Sequence, residues 1–234
     1  RSVHLAVDAV LDTADEAVEL GAQLLLVHHP LLLRGVTSIA EDRYKGAVLA
    51  RLIRGGCALL AAHTNADIVA DGTSAVLAAR LGLRDVRPLV PSASDPALGL
   101  GRVGELAEPV TLGELARGLQ GVLPATAQGI RGAGDYYAEV RRVALCAGAG
   151  DSLLAHPEVR GADVYITSDL RHHPASEARE EARVSGGPAL LDVSHWAAEW
   201  LWLEAAAAEL REALPELTVT VSELRTDPWD FALV

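Results

Sequence analysis

The sequence predicts an α/β protein: two interlocked α/β domains with largely parallel sheets, and a metal site at the carboxyl ends of the strands between them. Three observations carry that expectation. Short continuous apolar runs alternate with segments of helical period, as buried parallel strands alternate with crossover helices. A stretch with three prolines, 88–96, interrupts this alternation and reads as an interdomain linker. Histidines fall at the ends of the apolar runs, the edge at which open α/β sheets bind ligands.

In chain order, 3–9 (VHLAVDA) is a strand and 14–21 a helix closed by Gly21. The run 23–29 (QLLLVHH) is the next strand. A helix from Tyr44 to Arg54 stops at Gly55-Gly56, and 57–63 (CALLAAH) is a third strand. Thr73 to Leu81 is a helix stopped by Gly82. After the linker, GRVGEL opens a second unit. In 111–120 (TLGELARGLQ), Thr111 and Glu114 have capping-box spacing, which predicts a helix N-terminus. RRVALCA and ADVYITS are strands, PASEAREEARV a helix and PALLDVS a strand. HWAAEWLWLEAAAAELREAL is the longest helix, and LTVTVSE a closing strand. The expected division is 1–95 for the first domain, 96–190 for the second, and 191–234 for a strand-helix-strand that returns ligands to the shared site.

Composition narrows the function. The formal net charge of −12 argues against duplex nucleic-acid binding, which needs clustered Lys and Arg. No apolar run reaches the roughly 18 to 20 residues of a membrane span, and no signal peptide is evident, so a cytoplasmic location is expected. Cys57 and Cys146 lie in apolar runs, which favours reduced buried thiols over a disulfide. The chain holds no Met and opens directly on a hydrophobic run, so a segment upstream of Arg1 is expected.

The candidate chemistry sits at the strand ends. His28 and His29 end the LLLV run, His63 ends CALLAA, and His195 follows ALLDVS. Asp67 lies in the turn HTNAD. Glu199 follows His195 by four residues on a helix, which puts both on one face about 6 Å apart at Cβ. Taken singly, each is a hydrogen-bonded loop histidine or a surface pair. Three such features at equivalent strand ends put a metal set of His28, His29, Asp67, His195 and Glu199, with the carboxylates as bridging groups, on an equal footing with those plain readings. His172 and His173 follow Asp169 and Arg171 in SDLRHHP, and are pocket contributors, an acid/base group or solvated loop residues, with His173 the site-facing member. CAGAGD offers a Gly-rich turn after a strand. Walker A, G-x-S-x-G and Cys-based metal patterns are absent from the sequence.

Read together, LLLVHHPLLLRG, AAHTNADIVADGTSAVLAARLGL, GLGRVGEL, VALCAGAG, ADVYITSDLRHHPASEA and LLDVSHWAAEW resemble the signature segments of the NGG-interacting factor three-like family. Its members are also called GTP cyclohydrolase 1 type 2 homologues or dinuclear metal centre hexameric proteins. The resemblance implies that His28, His29, Asp67, His195 and Glu199 bind two divalent ions per subunit, of Zn, Fe, Mn, Co or Ni. It also implies a ring-shaped homo-hexamer in the compact form that lacks the inserted domain, and a family-typical helix and Trp-Asp-Asn segment upstream of Arg1.

The implied activity is metal-dependent hydrolysis. Two ions about 3.5 to 4 Å apart acidify a bridging water, and the family name points to opening of the guanine ring of GTP with release of formate. The small-molecule substrate is then a nucleotide, His173 and His63 are candidate proton carriers, and Arg171 is placed to meet phosphate. Two alternatives remain open: a non-catalytic metal- or partner-binding ring, and a metal-dependent phosphoester hydrolase.

Overall fold

A computed structural model describes residues 1–233. The elements are, in order, β1 (Ser2–Asp8), α1 (Leu11–Glu19), β2 (Leu24–His29), α2 (Tyr44–Gly55), β3 (Ala58–Ala61), α3 (Thr64–Ile68), α4 (Thr73–Arg80), β4 (Arg84–Arg87), β5 (Val90–Pro91) and β6 (Gly99–Leu100). There follow β7 (Arg102–Thr111), α5 (Leu112–Val122), β8 (Arg131–Ala133), β9 (Glu139–Ala149), α6 (Pro157–Arg160), β10 (Val164–Ser168), α7 (His172–Ser185), β11 (Ala189–Val193), α8 (His195–Ala213) and β12 (Thr218–Val221). The class is α/β with parallel-rich sheets, as the alternating apolar runs predict. No helix among the described residues is long and apolar enough to cross a membrane.

The chain forms two compact units, and both are discontinuous in sequence. One comprises Arg1–Ala66 with Trp202–Thr226, the other Asp67–Leu201 with Asp227–Val234. The contiguous spans 1–95, 96–190 and 191–234 therefore do not describe it. The reason is strand pairing: β12, near the C-terminus, pairs in parallel with β1, so the end of the chain joins the sheet that the beginning starts. Helix α4, before position 95, contacts β7 and β9 instead.

In the first unit a four-stranded sheet runs β12-β1-β2-β3, with every pairing parallel. Continuous burial of 3–7 in β1 matches a strand covered on both faces. Helices α1 and α2 bury Ala14, Ala17, Val48 and Leu52 in one cluster with Leu25 and Val27 of β2. At roughly 1.5–3 kcal/mol for each fully buried Val or Leu, this cluster anchors β2 and hence the histidines at its end. Gly56, at φ +67, caps α2 in a left-handed conformation that a side chain would disfavour.

The second unit carries a six-stranded sheet ordered β4-β7-β9-β10-β11-β8. Strands β9, β10 and β11 are parallel, whereas β4, β7 and β8 run antiparallel to their neighbours. Its core joins Leu77 of α4, Leu115 and Leu119 of α5, Val143 and Leu145 of β9, and Ile166 of β10. The Thr111–Glu114 capping box forms: Glu114 N donates to Thr111 Oγ1 at 3.2 Å, and Thr111 N donates to Glu114 Oε2 at 2.8 Å. The proline-rich stretch is not a linker. β5 pairs antiparallel with β6, and Leu89 is buried in a core cluster with Val103 and Ala144, so the prolines shape a short hairpin within this unit.

Candidate metal centre

In the first unit, parallel pairing gathers the strand ends. The register sets Asp8 of β1 opposite His29 of β2, and Val27 opposite Ala61 of β3. The ends of β1, β2 and β3 therefore present Asp8, His28, His29 and His63 along one edge. One ligand nitrogen from each of His28, His29 and His63 falls in a group whose atoms all lie within 4.8 Å of one another. The ring centroids are 5.0 Å apart for His28 and His29, 5.1 Å for His28 and His63, and 5.7 Å for His29 and His63.

The tautomers follow from the partners. His28, fully buried, places Nδ1 2.9 Å from the Ala62 carbonyl, which can only accept, so Nδ1 carries the proton and Nε2 the lone pair. His29 Nδ1 donates to Asp8 Oδ1 at 2.7 Å, which again directs the lone pair to Nε2. The second Asp8 oxygen accepts from Thr226 Oγ1. Trp202, largely buried, sets its ring edge-on 5.7 Å from that of His28.

In the second unit the donors are Asp67, His195 and Glu199. Asp67 Oδ1 accepts from the fully buried hydroxyl of Thr73 at 2.8 Å. His195 opens α8 directly after β11, with Glu199 one turn later. His195 Nδ1 donates to Asp169 Oδ2 at 2.8 Å, and Nε2 lies 3.0 Å from Glu199 Oε1. Burial opposes the charged imidazole, but hydrogen bonds to Asp169 and Glu199 and their negative charges outweigh it and push its pKa up to about 10. With both nitrogens facing carboxylates, the metal-free imidazole holds two protons. Nε2 would have to give up its proton to hold a divalent ion.

These residues fit a divalent ion, because imidazole and carboxylate suit borderline and hard cations alike and the backbone gives them room. A Cβ built at Gly148 would lie 2.5 Å from Glu199 Oε1 and 3.3 Å from His195 Nε2. Gly148 also has φ +79. Cys146, two residues before it, is no competing ligand at neutral pH. Burial, with the charges of Asp67 and Glu199, pushes its thiol up to about 12.

The five expected ligands thus fall into two sets, His28 and His29 in the first unit and Asp67, His195 and Glu199 in the second. His63, expected as a proton carrier, joins the first set as a further donor. His172 and His173 pair ring to ring at 5.2 Å at the exposed start of α7, and His173 joins no donor group among the described residues. Asp8, Thr73, Gly148 and Asp169 were not foreseen in their roles. The signal for Asp8 was its place at the end of β1, equivalent to that of His29 on β2. Asp169 has φ +57, a left-handed turn just after β10 that local composition does not announce.

The family model of Duf34/NIF3 (NGG1p interacting factor 3) matches residues 1–228. The chain belongs to this family. Its NIF3 relatives include a Streptomyces coelicolor protein named GTP cyclohydrolase 1 type 2 homolog, 53% identical over 233 residues, covering 97% of this chain and 80% of the relative. A Mycobacterium tuberculosis protein of the same name is 33% identical over 336 aligned positions, covering 98% of this chain and 87% of the relative. That span exceeds the 234 residues here, so the mycobacterial relative carries extra residues within the match. Among solved structures, a Bacillus cereus protein related to NIF3 has a TM-score of 0.89 at 23% identity, covering 99% of this chain and 89% of that one. A Thermus thermophilus protein has a TM-score of 0.76 at 27% identity, covering 97% and 84%.

Proposed function

We propose that this NIF3 family protein is a metal-dependent hydrolase that holds two divalent ions on His28, His29, Asp67, His195 and Glu199, and that its reaction is GTP ring opening of the cyclohydrolase 1 type 2 kind. The observation that carries this reading is the pair of carboxylate-oriented histidines. Asp8 fixes His29, and Asp169 fixes His195, each through Nδ1–H at 2.7 and 2.8 Å. Such second partners orient imidazole ligands and raise their basicity in metal sites. The shared name of the curated relatives supports the substrate assignment.

Divalent ions on such donors supply a water of lowered pKa and neutralise developing oxyanion charge. The chain's own groups do the rest. Thr73 holds Asp67, Asp8 and Asp169 hold the imidazoles, and the absence of a side chain at Gly148 keeps the His195–Glu199 face open. His63, beside His28 and His29, and His173, exposed on α7, are the proposed proton carriers. The assembly is proposed to be a cytoplasmic homo-hexameric ring.

The test is metal analysis of the purified protein and of His29→Ala and Glu199→Ala, with formate and phosphate assays on GTP and on a generic phosphodiester. Two ions per chain, fewer in either variant, and formate from GTP are expected. Unchanged stoichiometry of two ions per chain in either variant overturns the ligand set. Phosphate release without formate assigns phosphoester hydrolysis instead, and bound metal without turnover of either substrate assigns a non-catalytic ring. Solution mass measurement checks the hexamer.

A further inference from the structure

The six-stranded sheet ends at the short strand β8. Between that edge and the first half of α7 lies an open depression of about 450 Å³, wholly within the second unit. Arg131, Arg171, Arg179 and His172 line it, and Asp192 is the one carboxylate among its lining residues. This local balance runs against that of the chain, which has 32 acidic residues to 20 basic ones.

Asp192 does not cancel the three guanidinium groups. It is buried, and its oxygens already accept from Arg131 Nε at 2.8 Å, Leu170 N at 3.0 Å and Gln128 Nε2 at 3.3 Å. That pairing orients Arg131, whose side chain remains 61% exposed. Arg171 gives Nη2 to Asp151, a residue of the depression on the other flank of α7, at 2.7 Å, and its side chain remains 76% exposed, so it can turn its other N–H donors to a ligand. Arg179 makes no ion pair among the described residues.

Helix α7 sorts its charges to suit. His172, Ala175, Ser176 and Arg179 follow the i, i+3, i+4, i+7 stripe and line this depression. Glu177 and Glu181 line a separate depression on the other flank, and Glu180 pairs with Arg183. Ala175 and Ala178 pack against the core between these two flanks, and none of the charged residues of α7 is buried. The floor is apolar, with Leu170 and Leu190 both buried.

We propose that this depression binds a small phosphorylated organic molecule. The phosphate sits among Arg131, Arg171 and Arg179, and the organic part lies over Leu170 and Leu190. A planar guanidinium meets phosphate oxygens two at a time, three such groups suit a dianion better than a carboxylate, and the volume is that of a small-molecule site. No residue of the proposed metal set takes part, so this site and the metal reading stand or fall separately.

The test is calorimetric titration of the full chain, freed of metal by chelator, with phenyl phosphate, phenol and inorganic phosphate. Phenyl phosphate is expected to bind saturably and more tightly than inorganic phosphate, and phenol not to bind. Arg179→Ala and Arg171→Ala should each weaken phenyl phosphate binding about tenfold, as loss of one charge-assisted contact does. Arg183→Ala, on the same helix outside the depression, should leave it unchanged. Both arginines are exposed, so the variants keep the fold, which circular dichroism verifies. The proposal is overturned if phenyl phosphate shows no saturable binding up to about 10 mM, if inorganic phosphate or phenol binds as tightly, or if both variants keep wild-type affinity.

Discussion

A Cβ at position 148 would lie 2.5 Å from Glu199 Oε1, so any side chain at residue 148 would push the Glu199 carboxylate out of its present position beside His195. Two constraints meet there, since φ +79 also disfavours any L side chain. Gly148→Ala should lower divalent-ion affinity at least about tenfold by displacing a donor, and cost about 1–2 kcal/mol through the backbone. Equilibrium dialysis with metal analysis reads the first effect and thermal unfolding the second. Undiminished ion binding in this variant would show that Glu199 is not a ligand.

Asp8 should act on the metal only through His29. Asp8→Asn keeps the shape but removes the carboxylate that accepts from His29 Nδ1 at 2.7 Å. Ion affinity is expected to fall about 10- to 100-fold, the usual cost of losing such a partner, with the fold retained by circular dichroism. Competition with a chromogenic chelator measures it.

The two thiols should be inert in the native protein and reduced. Burial raises the pKa of Cys57, and burial with the charges of Asp67 and Glu199 raises that of Cys146 to about 12. Neither forms a disulfide. A thiol-reactive chromophore at pH 8 should therefore report almost nothing until denaturant is added, and then two thiols per chain. Rapid native labelling would contradict the burial.

Stability should depend on pH through Glu158. Hydrogen bonds from Arg87 and Arg142, both at 2.7 Å, hold its carboxyl below the ordinary 4.5 against the opposing effect of burial. A carboxylate with a lowered folded-state pKa stabilises fully above its unfolded value, and that contribution is lost as pH falls through the folded one. Glu158→Gln should thus destabilise at pH 6 and differ little from the parent near pH 3. Urea unfolding at the two values checks this, and an equal difference at both would count against the pairing.

Much of the site was legible because it follows from chain direction. Parallel strands end on the same edge, so histidines at the ends of 23–29 and 57–63 had to meet once those runs were strands of one sheet. His195 and Glu199 were legible for a simpler reason, the fixed pitch of a helix. The stretch 88–96 reads as a linker because prolines mark turns of every kind, including the hairpin of β5 and β6, and contiguous domain spans fail because β12 pairs with β1 across the whole chain.

By itself the sequence determined the alternation of strands and helices, the capping of α5 at Thr111, and the candidate donors at strand and helix starts, since each depends on neighbours within a turn or two. Only the tertiary structure decided that β12 lies beside β1, that Asp8 serves His29 and Asp169 serves His195, and that Arg131, Arg171 and Arg179 share one depression. Those choices bring together residues 21 and 26 positions apart in the two histidine pairs. Sheet order and packing select such partners, and no local period encodes them.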